Sequence, residues 1–110
     1  MKEFDIKSDM PSTSIAELRL KNYIKMMKPT EKIIKVIHGY GSHGTGGKIR
    51  VMVRETLADM IESNQIKAYI PGEATSTLMG FDSDIRLYKG LLQGDADFHK
   101  GNDGITYVIL

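Results

Sequence analysis

The stretch IIKVIHGYGSHGTGGKIR, residues 33–50, decides the fold of this chain. Its first part, Ile33 to Ile37, is a nearly apolar and β-branched run, which is typical of strands buried on both faces. Its second part, Gly39 to Gly47, holds five glycines and predicts a turn from this strand into a helix. Because a strand followed closely by a helix is the repeating unit of α/β proteins, the stretch predicts an α/β fold. The glycine-rich turn would lie beyond the carboxyl end of a buried strand, where ligands of such folds bind.

The residues before this stretch predict one strand and one helix. Phe4 and Ile6 alternate with charged residues, which favours a short first strand. Ser14 and Glu17 have the spacing of a capping box, so Ser14 should cap a helix that ends at Pro29. The apolar residues expected on the core face of this helix are Ile15, Leu18, Ile24 and Met27.

The residues after the glycine-rich turn predict four further elements. A second helix should start near residues 46–48 and stop at Asn64, and residues 67–70 should form a third strand. A short helix is predicted near residues 82–90, and a last strand over residues 105–110. The predicted core face of the second helix consists of Ile49, Met52, Val53, Leu57, Met60 and Ile61. The architecture is therefore predicted to be a two-layer β-α-β-α-β-β sandwich, in which two main helices pack on a mostly parallel, mixed, four-stranded sheet.

Length and composition restrict the class of protein. The chain has 110 residues, which fits a single domain over 1–110, and its lack of cysteine excludes disulfides and cysteine-based zinc sites. No apolar run approaches the ~20 residues needed to span a bilayer, and the N-terminus lacks the apolar core of a secretory signal. We therefore expect a cytoplasmic protein with no membrane partner. The net charge of +1 means that any basic surface must come from local clustering.

The glycine-rich turn has the features of a phosphate-binding site. Backbone N–H groups at the start of a helix are unpaired, the helix dipole favours anions there, and Lys48 and Arg50 add positive charge. The P-loop pattern fails, because Ser42 stands where its first glycine should be and Ile49 replaces its hydroxyl residue. A G-x-G-x-x-G pattern occurs over residues 39–44, but the acidic residue that accompanies it in dinucleotide-binding folds is missing.

Three features near this turn and beyond it have both a functional and a structural interpretation. The glycines could cradle a ligand or only permit a tight turn. His38 ends a buried strand, where its ring could contact a ligand or simply hydrogen-bond to the backbone. His99 lies among Asp95, Asp97 and Asp103, which could bind a metal, although a solvated acidic loop is the simpler interpretation.

At the turn and at the last strand, the sequence resembles the small MutS-related (Smr) domain family. The family has a His-Gly-x-Gly-x-Gly type of turn followed by a basic helix, and residues 36–41 match the start of that turn. Glycines and basic residues within 44–50 continue the match, and residues 104–110 resemble the last strand of the family. The resemblance follows the order of elements over residues 4–110 and is specific over residues 33–57 and at the last strand.

The Smr resemblance implies a two-layer α/β fold similar to the C-terminal domain of a bacterial translation initiation factor. It also implies nucleic-acid binding and, in several members, a metal-assisted nicking or endonuclease activity. We expect the host to be a bacterium or its phage. The first strand of the family carries Leu-Asp-Leu-His-Gly, where this chain has Phe-Asp-Ile-Lys-Ser at residues 4–8. Asp5 matches the aspartate, whereas Lys7 replaces the histidine. Lysine is a poor metal ligand, but it can contact a phosphate as a point charge.

Two hypotheses place the function at the turn. In the first, the domain binds DNA or RNA, and His38 hydrogen-bonds to the same phosphate that the turn holds. The expected phosphate contacts are Gly39, Gly41, His43, Gly44, Gly46, Gly47, Lys48, Arg50 and Lys7. In the second, the domain is a nicking endonuclease, in which Asp5 holds Mg²⁺ or Mn²⁺ and His38 serves as the catalytic base or stabiliser.

A third hypothesis concerns the segment 75–100. Its apolar residues could form an exposed patch for a protein partner or a homodimer, or they could pack on the sheet as a small satellite core. The residues in question are Leu78, Met79, Phe81, Leu91 and Phe98. Exposed side chains would favour the interface, and buried side chains would favour the satellite core.

Overall fold

The computed structural model describes residues 1–9, 11–40, 45–76 and 79–110, and for residues 45 and 46 it describes only the backbone. Four strands, four α-helices and a short 3-10 helix at Gly72–Thr75 lie in this part of the chain. The strands and α-helices are, in order, β1 (Lys2–Asp5), α1 (Thr13–Met27), β2 (Ile33–Ile37), α2 (Thr45–Glu62), β3 (Ala68–Pro71), α3 (Asp82–Leu87), α4 (Lys89–Leu92) and β4 (Ile105–Ile109). None of the helices in these described ranges combines the length and the apolar composition that crossing a bilayer requires.

The four strands form one mixed sheet in the order β1-β2-β4-β3. β1 pairs in parallel with β2, while β4 pairs antiparallel with both β2 and β3. Strands β1, β2 and β3 therefore run in the same direction, and β4 runs against them. This confirms the predicted α/β sandwich with a mixed four-stranded sheet. The ends of β1, β2 and β3 and the start of β4 lie together, and we call this region the carboxyl end of the sheet.

Helices α1 and α2 cover one face of the sheet. The predicted core face of α2 is confirmed. Four of its six apolar residues are buried, namely Ile49, Val53, Leu57 and Met60, and the other two, Met52 and Ile61, are partly buried against the same core. The buried side chains of this layer are Ile6, Ala16, Leu20, Ile24, Ile34, Val36, Ile49, Val53, Leu57, Met60, Ile66, Val108 and Leu110. The predicted stop of α2 is also confirmed, since Asn64 has a left-handed φ of 61° just after the helix ends.

The predicted core face of α1 is partly wrong. Ile24 is buried and Met27 packs against the core, but Ile15 and Leu18 are 50% and 60% exposed. The buried residues of α1 are spaced four apart and are Ala16, Leu20 and Ile24. Residues four apart lie on one face of a helix, so the true core face is rotated from the predicted one.

The N-cap of α1 also differs from the prediction. Ser12 rather than Ser14 caps the helix, because the Ser12 side chain accepts a hydrogen bond from the backbone N–H of Ile15 at 3.4 Å. The helix therefore begins before Ser14 and includes it. At its other end α1 stops at Met27, two residues before Pro29, which agrees with the predicted effect of this proline.

The opposite face of the sheet is covered by the segment that connects β3 to β4. The predicted short helix of this segment is observed as α3 and α4. Phe98 is buried, and Phe81 and Leu91 are partly buried, in a second core cluster on the sheet. The satellite-core interpretation is confirmed for these three residues. Met79 is exposed, and Leu78 lies outside the described residues.

Candidate functional site

The predicted site residues that the structure describes come from three elements around the carboxyl end of the sheet. Asp5 is the last residue of β1, His38 and Gly39 directly follow β2, and Arg50 lies in the second turn of α2. The predicted contacts that lie outside the described residues are Gly41, His43 and Gly44. For Gly46 the structure gives only its place in the first turn of α2.

His38 is buried, with 1% of its surface exposed, and both of its ring nitrogens have partners. Nδ1 lies 2.8 Å from the carbonyl oxygen of Gly39, and Nε2 lies 2.8 Å from Oγ1 of Thr106. Because a carbonyl only accepts, Nδ1 donates to Gly39, and Nε2 accepts from the Thr106 hydroxyl. Burial, together with the nearby charges of Arg54 and Arg50, lowers the pKa of His38 to about 4. The ring is therefore neutral at neutral pH and fastens the end of β2 to β4.

The Thr106 hydroxyl connects His38 to a cluster of three charged side chains, Arg50, Arg54 and Glu73, which we call the arginine–glutamate cluster. Nε of Arg54 donates to Oγ1 of Thr106 at 3.4 Å, and its two terminal nitrogens donate to the Glu73 carboxylate at 2.7 Å each. Nη2 of Arg50 donates to the same carboxylate at 2.8 Å. Burial alone would raise the pKa of Glu73, but the hydrogen bonds from Arg54 and Arg50 hold it below its usual value. The three side chains together therefore carry a net positive charge.

Arg50 also spans the two described ends of the glycine-rich turn. Its Nη1 donates to the backbone carbonyl of Tyr40 at 3.3 Å, so a residue of α2 is tied to the second residue of the turn. A guanidinium carries more N–H donors than the contacts to Tyr40 and Glu73 use. Arg50 is thus a cation of fixed position beside the turn, with donors that a phosphate could meet.

Lys7 and Asp5 flank the turn next to Gly39. A β-carbon placed on Gly39 would come within 3.1 Å of Cδ of Lys7, and Gly39 has a left-handed φ of +78°, so both space and conformation favour glycine here. Nζ of Lys7 lies 3.5 Å from the Asp5 carboxylate, which also accepts the backbone N–H of Lys7 at 3.0 Å. Asp5 therefore has a cation beside it. Within the described ranges, no three histidine or acidic side chains are grouped so that they could share a metal ion.

Lys48 and Gly47 lie in the first two turns of α2. Both line a groove of about 600 Å³ between α1 and α2, opposite Thr13 and Ser14. Lys48 is exposed there and has the acidic side chain of Glu17 in the same groove. Lys48 is therefore a cation on the helix side of the turn and is separate from the arginine–glutamate cluster.

Three members of this site were missed in the sequence, although each left a signal. Arg54 follows Arg50 by one helical turn, so the two guanidinium groups share a face of α2. Thr106 is a polar residue within an otherwise apolar last strand, and Glu73 directly follows the turn that ends β3. A polar side chain at a buried strand position needs a hydrogen-bond partner, which is the reason to suspect a network there.

A second polar cluster was missed on the opposite face of the sheet. Lys35 lies in the strand that was expected to be apolar, and its buried ammonium lies 2.8 Å from Asp95 and 2.7 Å from Asp97. The Tyr107 hydroxyl donates to Asp95 at 2.7 Å. Burial alone would raise the pKa of Asp95, but the hydrogen bonds from Lys35 and Tyr107 hold it below its usual value. Asp95 and Asp97 are therefore bound to Lys35 and fasten the residues before β4 to the sheet, so the interpretation as a solvated loop is wrong for these two aspartates.

No family model, curated protein or solved structure matches this chain. The resemblance to the Smr family therefore remains a prediction that rests on residues 33–57 and 104–110. These two stretches are distant in sequence, but β2 and β4 are neighbours in the sheet. Both contribute to the carboxyl end of the sheet, where they are joined by the hydrogen bond between His38 and Thr106.

Proposed function

We propose that this chain is a nucleic-acid-binding domain of the Smr type that holds a phosphate at the carboxyl end of the sheet. The observation that carries the proposal is the position of Arg50, whose guanidinium is fixed by Glu73 and Tyr40 beside the glycine-rich turn. Arginine side chains suit phosphate because their planar N–H donors match its oxygens. A guanidinium that is already held in place loses less side-chain freedom when it binds.

Several other positive groups support the same proposal. Lys7 lies beside Gly39, Lys48 is exposed near the start of α2, and Arg54 shares the single carboxylate of Glu73 with Arg50. Helix α2 is 18 residues long and starts at Thr45, within the glycine-rich stretch, so its dipole favours an anion near the turn. The chain as a whole is nearly neutral, so binding depends on these local charges, of which Lys7, Arg50 and Arg54 lie at the carboxyl end of the sheet and Lys48 lies in the separate groove.

The geometry supports binding better than it supports nicking. To act as a base, His38 would have to release one of two hydrogen bonds, and Asp5 would have to exchange the ammonium of Lys7 for a metal ion. Binding requires neither change. In the proposed function His38 therefore acts as a positioning residue, which holds the backbone of Gly39 where the turn begins.

Fluorescence anisotropy with short labelled DNA and RNA oligonucleotides, both single-stranded and duplex, tests the proposal. Binding should be measurable at low salt and should weaken as salt rises, because phosphate contacts release counterions. Lys7→Ala should weaken binding to all sequences alike and reduce the slope of log K against log salt by about 1.

Lys25→Ala is the matched control, because Lys25 is an exposed lysine in the last turn of α1, at the opposite end of the sheet. It should leave the salt slope unchanged. Absence of binding at low salt would remove the proposal. An equal loss in the Lys7 and Lys25 variants would indicate attraction to the whole surface rather than a site at the carboxyl end.

A further inference from the structure

A second cavity, of about 390 Å³, lies between the short 3-10 helix after β3 and the helices α3 and α4. It is separate from the phosphate site proposed at the carboxyl end of the sheet. Ile85 and Phe98 give it an apolar wall, and Arg86, Lys89 and His99 also line it. Its volume is within the range of about 300–1,000 Å³ that small-molecule sites occupy.

The two cations of this cavity are not used to hold the fold together. In the part of the chain that the structure describes, no ion pair includes Arg86 or Lys89. Asp82, one helical turn before Arg86, lines the same cavity as its one carboxylate. The cavity thus combines two cations and one carboxylate with an apolar wall.

His99 gives the cavity an aromatic surface of fixed position. The backbone of His99 has a left-handed φ of 71°, a conformation that residues other than glycine seldom adopt. The His99 backbone N–H donates to Oγ1 of Thr75 at 3.2 Å, and its Nδ1 lies 3.0 Å from the Thr75 carbonyl. The ring packs against Phe98 with a centroid distance of 3.8 Å. Because Nδ1 must donate to the carbonyl, Nε2 is the nitrogen that can meet a ligand.

We infer that this cavity binds a nucleotide with a terminal phosphate, either as a free mononucleotide or at the 5′ end of a strand. Arg86 and Lys89 contact the phosphate, and the base lies on the exposed ring of His99, which packs against the buried Phe98. Asp82 accepts hydrogen bonds from an amino or hydroxyl group of the ligand. An inorganic phosphate would use only the two cations and would leave the ring of His99 and the Asp82 carboxylate without a contact, so the lining fits the whole nucleotide better. The inference does not rest on the function proposed for the carboxyl end.

Amide NMR spectra of the full chain test this site, with AMP, adenosine and inorganic phosphate as probes. AMP should produce saturable shifts in the signals of Ile85 and Phe98, and adenosine and phosphate should bind at least about tenfold more weakly. Arg86→Gln and Lys89→Gln should each weaken AMP binding at least about threefold. Lys100→Gln is the matched control, since Lys100 is exposed next to His99 in sequence and does not line the cavity.

A short oligonucleotide, with and without a 5′ phosphate, identifies the source of the nucleotide. A strand end is supported if the phosphorylated strand shifts the Ile85 and Phe98 signals at lower concentration than both AMP and the unphosphorylated strand do. A free nucleotide is supported if AMP shifts them at the lowest concentration. The inference is overturned if neither AMP nor the phosphorylated oligonucleotide shifts the Ile85 and Phe98 signals saturably. It is also overturned if the double variant Arg86→Gln and Lys89→Gln binds AMP as tightly as the wild type does. It is also overturned if Lys7→Ala abolishes AMP binding, because the nucleotide would then lie at the carboxyl end. Well-dispersed spectra of each variant show that it has folded.

Discussion

Replacement of Lys35 by methionine should destabilise the domain by about 3 kcal/mol at neutral pH. The Lys35 side chain is 4% exposed, and its partners Asp95 and Asp97 are 10% and 26% exposed. Methionine keeps the apolar stem of the side chain but removes the ammonium, so two carboxylates remain in a largely buried position without a cation. Removal of one partner from a buried ion pair costs about 3–5 kcal/mol, and the partial exposure of Asp97 places this case at the lower end.

The loss should depend on pH in a definite direction. Hydrogen bonds from Lys35 hold the pKa values of Asp95 and Asp97 below their usual range, against the effect of burial. The two aspartates therefore contribute stability above an unfolded pKa near 3.8, and this contribution is lost as the pH falls through their lower folded values. The pKa of Lys35 is raised, because its bonds to the two aspartates outweigh its burial. Its contribution is therefore fully present below pH 10.5 and is lost only as the pH rises through the higher folded value.

Urea unfolding followed by circular dichroism at pH 7 and at pH 3 measures this effect. The difference in the free energy of unfolding between wild type and Lys35→Met should be large at pH 7. It should be smaller at pH 3, because the unpaired aspartates of the variant take up protons there. Lys32→Met is the control, because Lys32 is exposed just before β2, and it should change stability by less than about 0.5 kcal/mol. A loss below about 1 kcal/mol at pH 7, or an equal loss at both pH values, would refute the reasoning.

Three further predictions concern the sheet and its surroundings. Burial lowers the pKa of His38 from 6.5 to about 4, so the unfolded state takes up a proton first as the pH falls. The free energy of unfolding should therefore decrease by up to about 3 kcal/mol between pH 6.5 and pH 4. The imidazole NMR signals of His38 should then titrate near pH 4, and a midpoint near 6.5 would contradict this. Thr106→Val removes the hydroxyl that donates a hydrogen bond to His38 and should lower the free energy of unfolding, measured in urea, by about 1–2 kcal/mol. An unchanged urea midpoint would show that this hydrogen bond contributes nothing to stability. Gly72→Ala would push a methyl group into the carbonyl of Asn102 and should lower the free energy of unfolding by about 2–3 kcal/mol. Gly94→Ala is the control, because its methyl group would face open space and should leave the stability unchanged. Equal stability of the two variants would count against the close packing at Gly72.

The central part of the fold could be predicted because its signals are local. The apolar run of β2 and the stripe through Val53 and Leu57 both follow directly from residue spacing. The core face of α1 could not be predicted as well, because this helix has apolar residues on two adjacent faces. Ile15 is more hydrophobic than Ala16, yet Ala16 is the buried one. Which face turns inward depends on how closely the helix packs against its neighbours, and hydrophobicity alone does not decide that.

The candidate site could be predicted only in the part that follows from sequence neighbourhood and from the Smr resemblance. His38 and Arg50 were expected at the turn because they flank it in the sequence, and Asp5 was expected there because it matches the aspartate of the family's first strand. The partners Thr106 and Glu73 depend on strand order, since β4 lies between β2 and β3. Residue spacing within β2 does not reveal that order. The charge of Lys35 was overlooked for the same reason, because its partners lie about 60 residues further along the chain.

The central position of β4 also has a consequence for how this domain is made on the ribosome. A nascent chain that has been translated up to residue 104 already contains both large helices, yet β3 has no hydrogen-bonded partner strand, because β4 pairs with it and with β2. The sheet can close only after residues 105–109 have emerged. Until then β2 and β3 each keep an unpaired edge, and an exposed strand edge of this kind promotes aggregation.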